Sequence, residues 1–132
     1  MHANYINPDC LPKPRGNYSW LVQSEKTVWL SGMVALGDDG KVVGVGDAEK
    51  QTQQIYDNIE AALKELGGSL SNIVKRVIYV VGRENIAGMT RVHPMLKQSG
   101  RVAQMPASTL VLVSGLQSED CIVEIDVVAV LD

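Results

Sequence analysis

Phenylalanine is absent from this chain of 132 residues, and cysteine and histidine occur only twice each. Without Phe, the interior has to be filled by Val, Ile, Leu and five Met, a choice that says little about function. Metal ligands come in clusters, and neither Cys10 with Cys121 nor His2 with His93 has the spacing of one, so no metal site is expected. A disulfide between the two cysteines is the alternative to two free thiols, and free thiols are the expectation in a reducing compartment. A phosphate-cradling loop is missing as well, because Gly44-Val45-Gly46 lacks a third glycine and a preceding strand. Ser114-Gly115 has no base close in sequence that would make a nucleophile of it. The sequence calls for no cofactor.

Blocks of Lys or Arg are also lacking, and the formal net charge is −3. A nucleic-acid partner needs a basic footprint to neutralise phosphates, so this balance argues against one. The apolar runs are too short to span a bilayer, which gives no reason to expect a membrane partner. The opening segment, residues 1–6, has neither the basic start nor the apolar stretch of a signal peptide, so a cytoplasmic location is expected. The length fits one domain, residues 1–132, with one sizeable core.

What is present is a regular succession of strand and helix signals. Residues 8–16 hold three of the five prolines and read as an extended loop, since proline cannot donate to a sheet ladder. Residues 18–23 and 27–30 follow as two strands of a hairpin, the first with Tyr18 and Trp20 on one face. Gly37-Asp38-Asp39-Gly40 is a turn. Asp47 is placed to cap a helix whose apolar stripe is Ile55, Ile59, Ala62, Leu63 and Leu66, and Gly67-Gly68 ends it. Residues 73–81 form an apolar strand, and residues 85–97 a second helix that Pro94 should kink or shorten. Residues 108–114 and 121–130 are the last two strands. The order strand, strand, helix, strand, helix, strand, strand implies an α+β fold of two layers, with both helices on one face of the sheet. The other face looks apolar, and burial against further subunits is the expected remedy.

Two carboxylates stand out. Glu124 and Asp126 lie two apart in a strand otherwise made of Ile, Val and Ala, so they share one side of the sheet. Desolvation disfavours a carboxylate's charged form and raises its pKa, which suits it to general acid or base work. The plain alternative is that both face water at the sheet margin, as charged residues mostly do. Ser31-Gly32 closes the second strand, where a glycine marks a bulge, a ligand's close approach, or a tight packing contact.

Several segments, in order along nearly the whole chain, resemble the Rid (YjgF) family of enamine/imine deaminases. They are Gly16-Asn17-Tyr18-Ser19, Val28-Trp29-Leu30-Ser31-Gly32, Gln51-Thr52-Gln53-Gln54 with Asn58-Ile59 and Leu63, Leu70-Ser71-Asn72-Ile73-Val74-Lys75, Pro106-Ala107-Ser108-Thr109, and Val123-Glu124-Ile125-Asp126. The resemblance implies a chorismate-mutase-like α+β fold with a mixed sheet, assembled as a homotrimer that encloses a barrel and leaves a small-molecule cleft at each subunit interface. It implies Glu124 as the holder of the attacking water and Tyr18 as a catalytic partner. Ser31, Gly32, Ser108, Thr109 and Leu110 would line the substrate site. In deaminating members an arginine at the position of Ser108 grips the substrate carboxylate, and a cysteine is common where Leu110 stands. A serine hydroxyl supplies neither the charge nor the two-pronged geometry of a guanidinium. That loss is worth a few kcal/mol in a shielded cleft, or about a hundredfold in affinity, and argues against ordinary 2-imino acid deamination. Arg15 and Arg91 are the candidates to supply a cation instead. Hydrolysis of a C–N bond in a small metabolite is one expectation, and a non-catalytic metabolite-binding or regulatory protein the other. Ribonuclease activity, attached to some relatives, fits poorly with an acidic chain lacking a basic groove.

Overall fold

The computed structural model describes residues 2–132, so Met1 of the opening segment lies outside the described residues. Six strands and two helices follow one another along the chain: β1 (Asn4–Ile6), β2 (Leu21–Ser24), β3 (Thr27–Met33), α1 (Ala48–Glu65), β4 (Ile73–Val81), α2 (Ile86–Gln98), β5 (Ala107–Val113) and β6 (Val123–Val130). The strands form one mixed sheet in the order β1-β2-β3-β6-β4-β5. Only β4 and β5 run parallel, with α2 as the crossover between them. The strand latest in sequence, β6, is therefore inserted between β3 and β4.

Alternation in β4 and β6 decides which side chains the helices cover. Ile78 and Val80 of β4, and Val123, Ile125, Val127 and Ala129 of β6, are buried under the helical layer. From α1 the stripe Ile55, Ile59, Ala62 and Leu63 meets them, joined by Tyr56. Asp47 caps α1 by accepting the amide of Lys50 at 3.0 Å. At the other end the amides of Gly67 and Gly68 return to Lys64 and Leu63, with Gly67 at φ 79°, the left-handed cap that glycine permits.

Four expectations need correcting. The short ribbon β1 was not foreseen, because three exposed or half-exposed residues carry no readable alternation. Residues 18–20 are not strand: the Trp20 amide donates to Asn7 Oδ1 at 2.9 Å and its indole to the Pro12 carbonyl at 2.7 Å, which docks the proline-rich loop instead. Tyr18 and Trp20 do touch, edge to face with centroids 5.4 Å apart, but Tyr18 is exposed and Trp20 buried. Pro94 does not shorten α2, which continues four residues beyond it. The uncovered sheet face is also less apolar than expected, since Lys75, Tyr79, Thr109, Glu124 and Asp126 occupy its middle. The apolar surface sits at the edge: in β5, Leu110, Val111 and Leu112 are all exposed, and no strand covers their outer side.

Candidate functional site

Period two in β6 turns Glu124 and Asp126 to the face opposite the buried Val123, Ile125 and Val127, as their spacing predicts. Across the antiparallel ladder Tyr79 stands opposite Glu124, and Val77 opposite Asp126. The Tyr79 hydroxyl donates to Asp126 Oδ2 at 2.8 Å, and that bond is the main reason its own pKa is raised. Among the described residues Glu124 has no such bond. Burial of its carboxylate, and then the like charge of Asp126, push its pKa above the ordinary carboxylate value. The two acids thus differ in surroundings, one held by a phenol and the other packed on Gly32, which is how paired carboxylates acquire different roles. Tyr79 was missed in sequence because its partner lies 47 residues away.

Glu124 packs directly on Gly32. A methyl group built on Gly32 would come within 2.7 Å of Glu124 Oε2 and 2.8 Å of its carboxyl carbon. The ladder between β3 and β6 also shifts register between Leu30 and Met33, so Gly32 sits in an irregularity that admits the carboxylate. Neighbouring Ser31 is tied to the segment that carries Tyr18: its hydroxyl donates to the Ser19 carbonyl at 2.7 Å and its amide to that of Trp20 at 2.8 Å. A continuous set of contacts therefore runs from Tyr18 and Ser19 through Ser31-Gly32 to Glu124. A hollow of about 430 Å³ opens beside Tyr18, walled by Asn7, Leu11, Lys13 and Gly16, and Glu124 is absent from its walls.

The start of β6 is positioned by Gln51 of α1, which is fully buried. Its Nε2 donates to the carbonyls of Gly44 and Asp120 at 3.1 and 2.7 Å, and its Oε1 accepts the Ile122 amide at 3.0 Å. One amide side chain thus joins two loops to the helix and fixes where the Glu124 strand begins.

Ser108, Thr109 and Leu110 do not gather around Glu124 within one chain. The Ser108 hydroxyl lies on the helix side, accepting from Arg76 Nε at 2.9 Å. Thr109 points to the opposite face, accepting from Lys75 Nζ at 2.8 Å. Leu110 is exposed on the edge strand. The two proposed substitute cations are engaged elsewhere, Arg15 with the Gly40 carbonyl and Arg91 in an ion pair of 2.8 Å with Glu49. The cation beside Ser108 is Arg76, on the neighbouring strand β4. Alternation was its signal, because it shares parity with the buried Ile78 and Val80.

Comparison with known proteins agrees with this architecture. A family model described as endoribonuclease L-PSP matches residues 10–131. A protein named 3-aminoacrylate deaminase RutC from Acinetobacter baylyi is 30% identical over 129 residues, covering 98% of each chain. A RutC family protein of Pyrococcus abyssi is 29% identical, again over 98% of each. Among solved structures, one from Yersinia pestis described as a protein of unknown function of the conserved Rid protein family superposes with a TM-score of 0.84. It is 29% identical and covers 98% of this chain and 100% of its own.

Proposed function

Since the chain belongs to the Rid (YjgF) family, whose model spans residues 10–131, we propose that it hydrolyses the carbon–nitrogen bond of a small imine, or of an enamine through its imine tautomer, with Glu124 as the proton-transferring group. The observation that carries this reading is the half-buried Glu124 carboxylate set against Gly32 beside a second acid. A carboxylate whose pKa is raised can take a proton from water and return it within one turnover. On the protonated imine the water oxygen bonds to carbon, the C=N π pair moves to nitrogen, and Glu124 takes the water's proton. The resulting carbinolamine then collapses: the Glu124 proton passes to nitrogen, the C–N bond breaks, and the hydroxyl proton is released to solvent as the carbonyl forms and the amine or ammonia departs. The relative named 3-aminoacrylate deaminase supports the reaction class.

The active unit in this reading is a homotrimer. Ser108 and Leu110 belong to the sheet edge, and Glu124 to the uncovered face of an inner strand, so they can share a cleft only when one copy's edge meets another's face. The exposed Leu110, Val111 and Leu112 supply an apolar reason for that contact. Tyr18 would then line the cleft without touching Asp126, which Tyr79 already holds.

The test is turnover of a panel of freshly generated imines and enamines by the purified chain and by Glu124→Gln. A drop of about a hundredfold or more in the variant is expected for a lost general acid–base. Equal rates would refute the role of Glu124. Binding of panel compounds without turnover by either protein would leave instead a metabolite-binding module.

A further inference from the structure

We infer that Tyr79 is a positioning residue for the hydrolysis proposed above: by donating to Asp126 it holds the negative charge of the acid pair there and leaves the pair's last proton, and so the role of base, to Glu124. The catalytic part rests on that proposal; the division of charge between the two acids does not.

Glu124 and Asp126 are alike in chemistry and share one face of β6, so the strand alone does not decide which of them holds a proton. The decision comes from β4. Tyr79 is paired directly opposite Glu124, yet its hydroxyl reaches past that partner to the diagonal neighbour and donates to Asp126 Oδ2 at 2.8 Å. An aromatic side chain is long enough for such a diagonal. Glu124 packs instead on Gly32, and no side-chain donor among the described residues reaches it.

A hydrogen bond given to a carboxylate favours its charged form, and a like charge nearby disfavours ionisation of the second acid. Both effects push the pair's proton the same way. The phenol suits this task because its bond to Asp126, followed by burial, raises its own pKa, so it stays a neutral donor wherever carboxylates titrate. Burial, then the charge on Asp126, raise the pKa of Glu124.

Among the described residues no other charged group competes for the pair. On the same face of β4, Lys75 stands opposite Val128, two residues beyond Asp126, and its ammonium donates to Thr109 Oγ1 at 2.8 Å. From β5 come Thr109 and Val111, neither of them titratable. From β3 comes Gly32 with Ser31 beside it, and Ser31 is bonded to the Ser19 carbonyl. Tyr18 lies beyond them and is exposed. Arg76 and His93 are bonded to Tyr56 on the helix side of the sheet. A coupled pair releases its protons in two steps that belong to the pair. Here the phenol assigns the upper step to Glu124.

Carbon-13 NMR on the full chain, with labelled carboxyl groups and labelled tyrosine rings, follows the pair without any substrate. In the parent chain the Glu124 carboxyl should respond in the upper of the two steps and the Tyr79 ring in the lower. Tyr79→Phe should move the Glu124 midpoint down and broaden it, as the two acids begin to share a proton. Asp126→Asn should move it further, by about one pH unit or more, and adding Tyr79→Phe to that variant should move it no more. The low-pH limb of imine turnover should shift by the same amounts. Titration of the two acids together in the parent, or of Glu124 ahead of Asp126, would overturn the inference even should Tyr79→Phe fail to fold. So would a Tyr79→Phe chain of lowered melting temperature whose Glu124 midpoint stays in place, since the bond would then be structural alone. A chain that shows the two steps but hydrolyses no imine removes the hydrolase and keeps the assignment. One with Glu124-dependent turnover whose pH profile ignores Tyr79→Phe does the reverse.

Discussion

Replacing Gly32 by alanine isolates the placement of Glu124 from its chemistry. The added methyl would lie 2.7 Å from Oε2 and 2.8 Å from the carboxyl carbon, where ordinary contact begins at 3.4 Å. Relief requires the carboxylate to retreat by about 0.7 Å, and since a 1 Å misplacement at a reacting group costs about a hundredfold in rate, a loss of about tenfold or more is expected. Gly32 is not among the glycines with positive φ, so alanine fits its backbone, and the group that must yield is the end of a flexible side chain. Stability should therefore change by less than about 1 kcal/mol. Imine turnover and thermal melting are measured on Gly32→Ala, Glu124→Gln and the double variant. If alanine acts only by displacing Glu124, the double variant is no slower than Glu124→Gln alone. Full turnover by Gly32→Ala, or simple additivity in the double variant, would refute the idea that this contact aims the carboxylate.

Other perturbations probe the supports around the site. Gln51→Ala strands the carbonyls of Gly44 and Asp120 and the amide of Ile122, and a loss of about 3 kcal/mol is expected in urea unfolding. In the proposed hydrolysis Glu124 works as a base when ionised, and burial with Asp126 raises its pKa, so the rate should rise with pH through an apparent pKa above the ordinary carboxylate value. The linked stability has the opposite sign. A raised pKa in the folded state gives a contribution present below the unfolded value and lost as pH rises through the folded one, so Glu124→Gln should be the more stable chain above that window. Leu110→Lys puts a charge into the exposed apolar edge, and sedimentation at micromolar concentration should show it dissociated where the parent chain is a trimer; a parent that is itself monomeric would refute the shared cleft.

Much of the fold is legible because local chemistry and tertiary position agree. The α1 cap at Asp47, its glycine stop and the span of β4 all follow from residues next to one another. Both ends of α2 fall within one residue of the expectation. The failures occur where distant partners decide. Trp20 looks like a strand residue, but its amide is claimed by Asn7. The neighbour of Ser108 within the chain, an arginine 32 residues earlier, is likewise invisible to local pattern. Glu124 and Gly32 were picked out separately, and only the register between β3 and β6 brings them into contact. Sequence finds unusual residues; pairing decides what they touch.

The position of β6 bears on how this molecule comes into being on the ribosome. While synthesis has reached only β5, two ribbons exist, β1-β2-β3 and β4-β5, with no hydrogen-bonded ladder between them. Contacts between residues so far apart in sequence form slowly, and the waiting ribbons have open edges that other chains can occupy. Emergence of β6 closes the gap from both sides at once, and the same strand delivers Glu124. A nascent chain halted before residue 123 would thus be both unjoined and without Glu124, and completion of the sheet coincides with arrival of the acid.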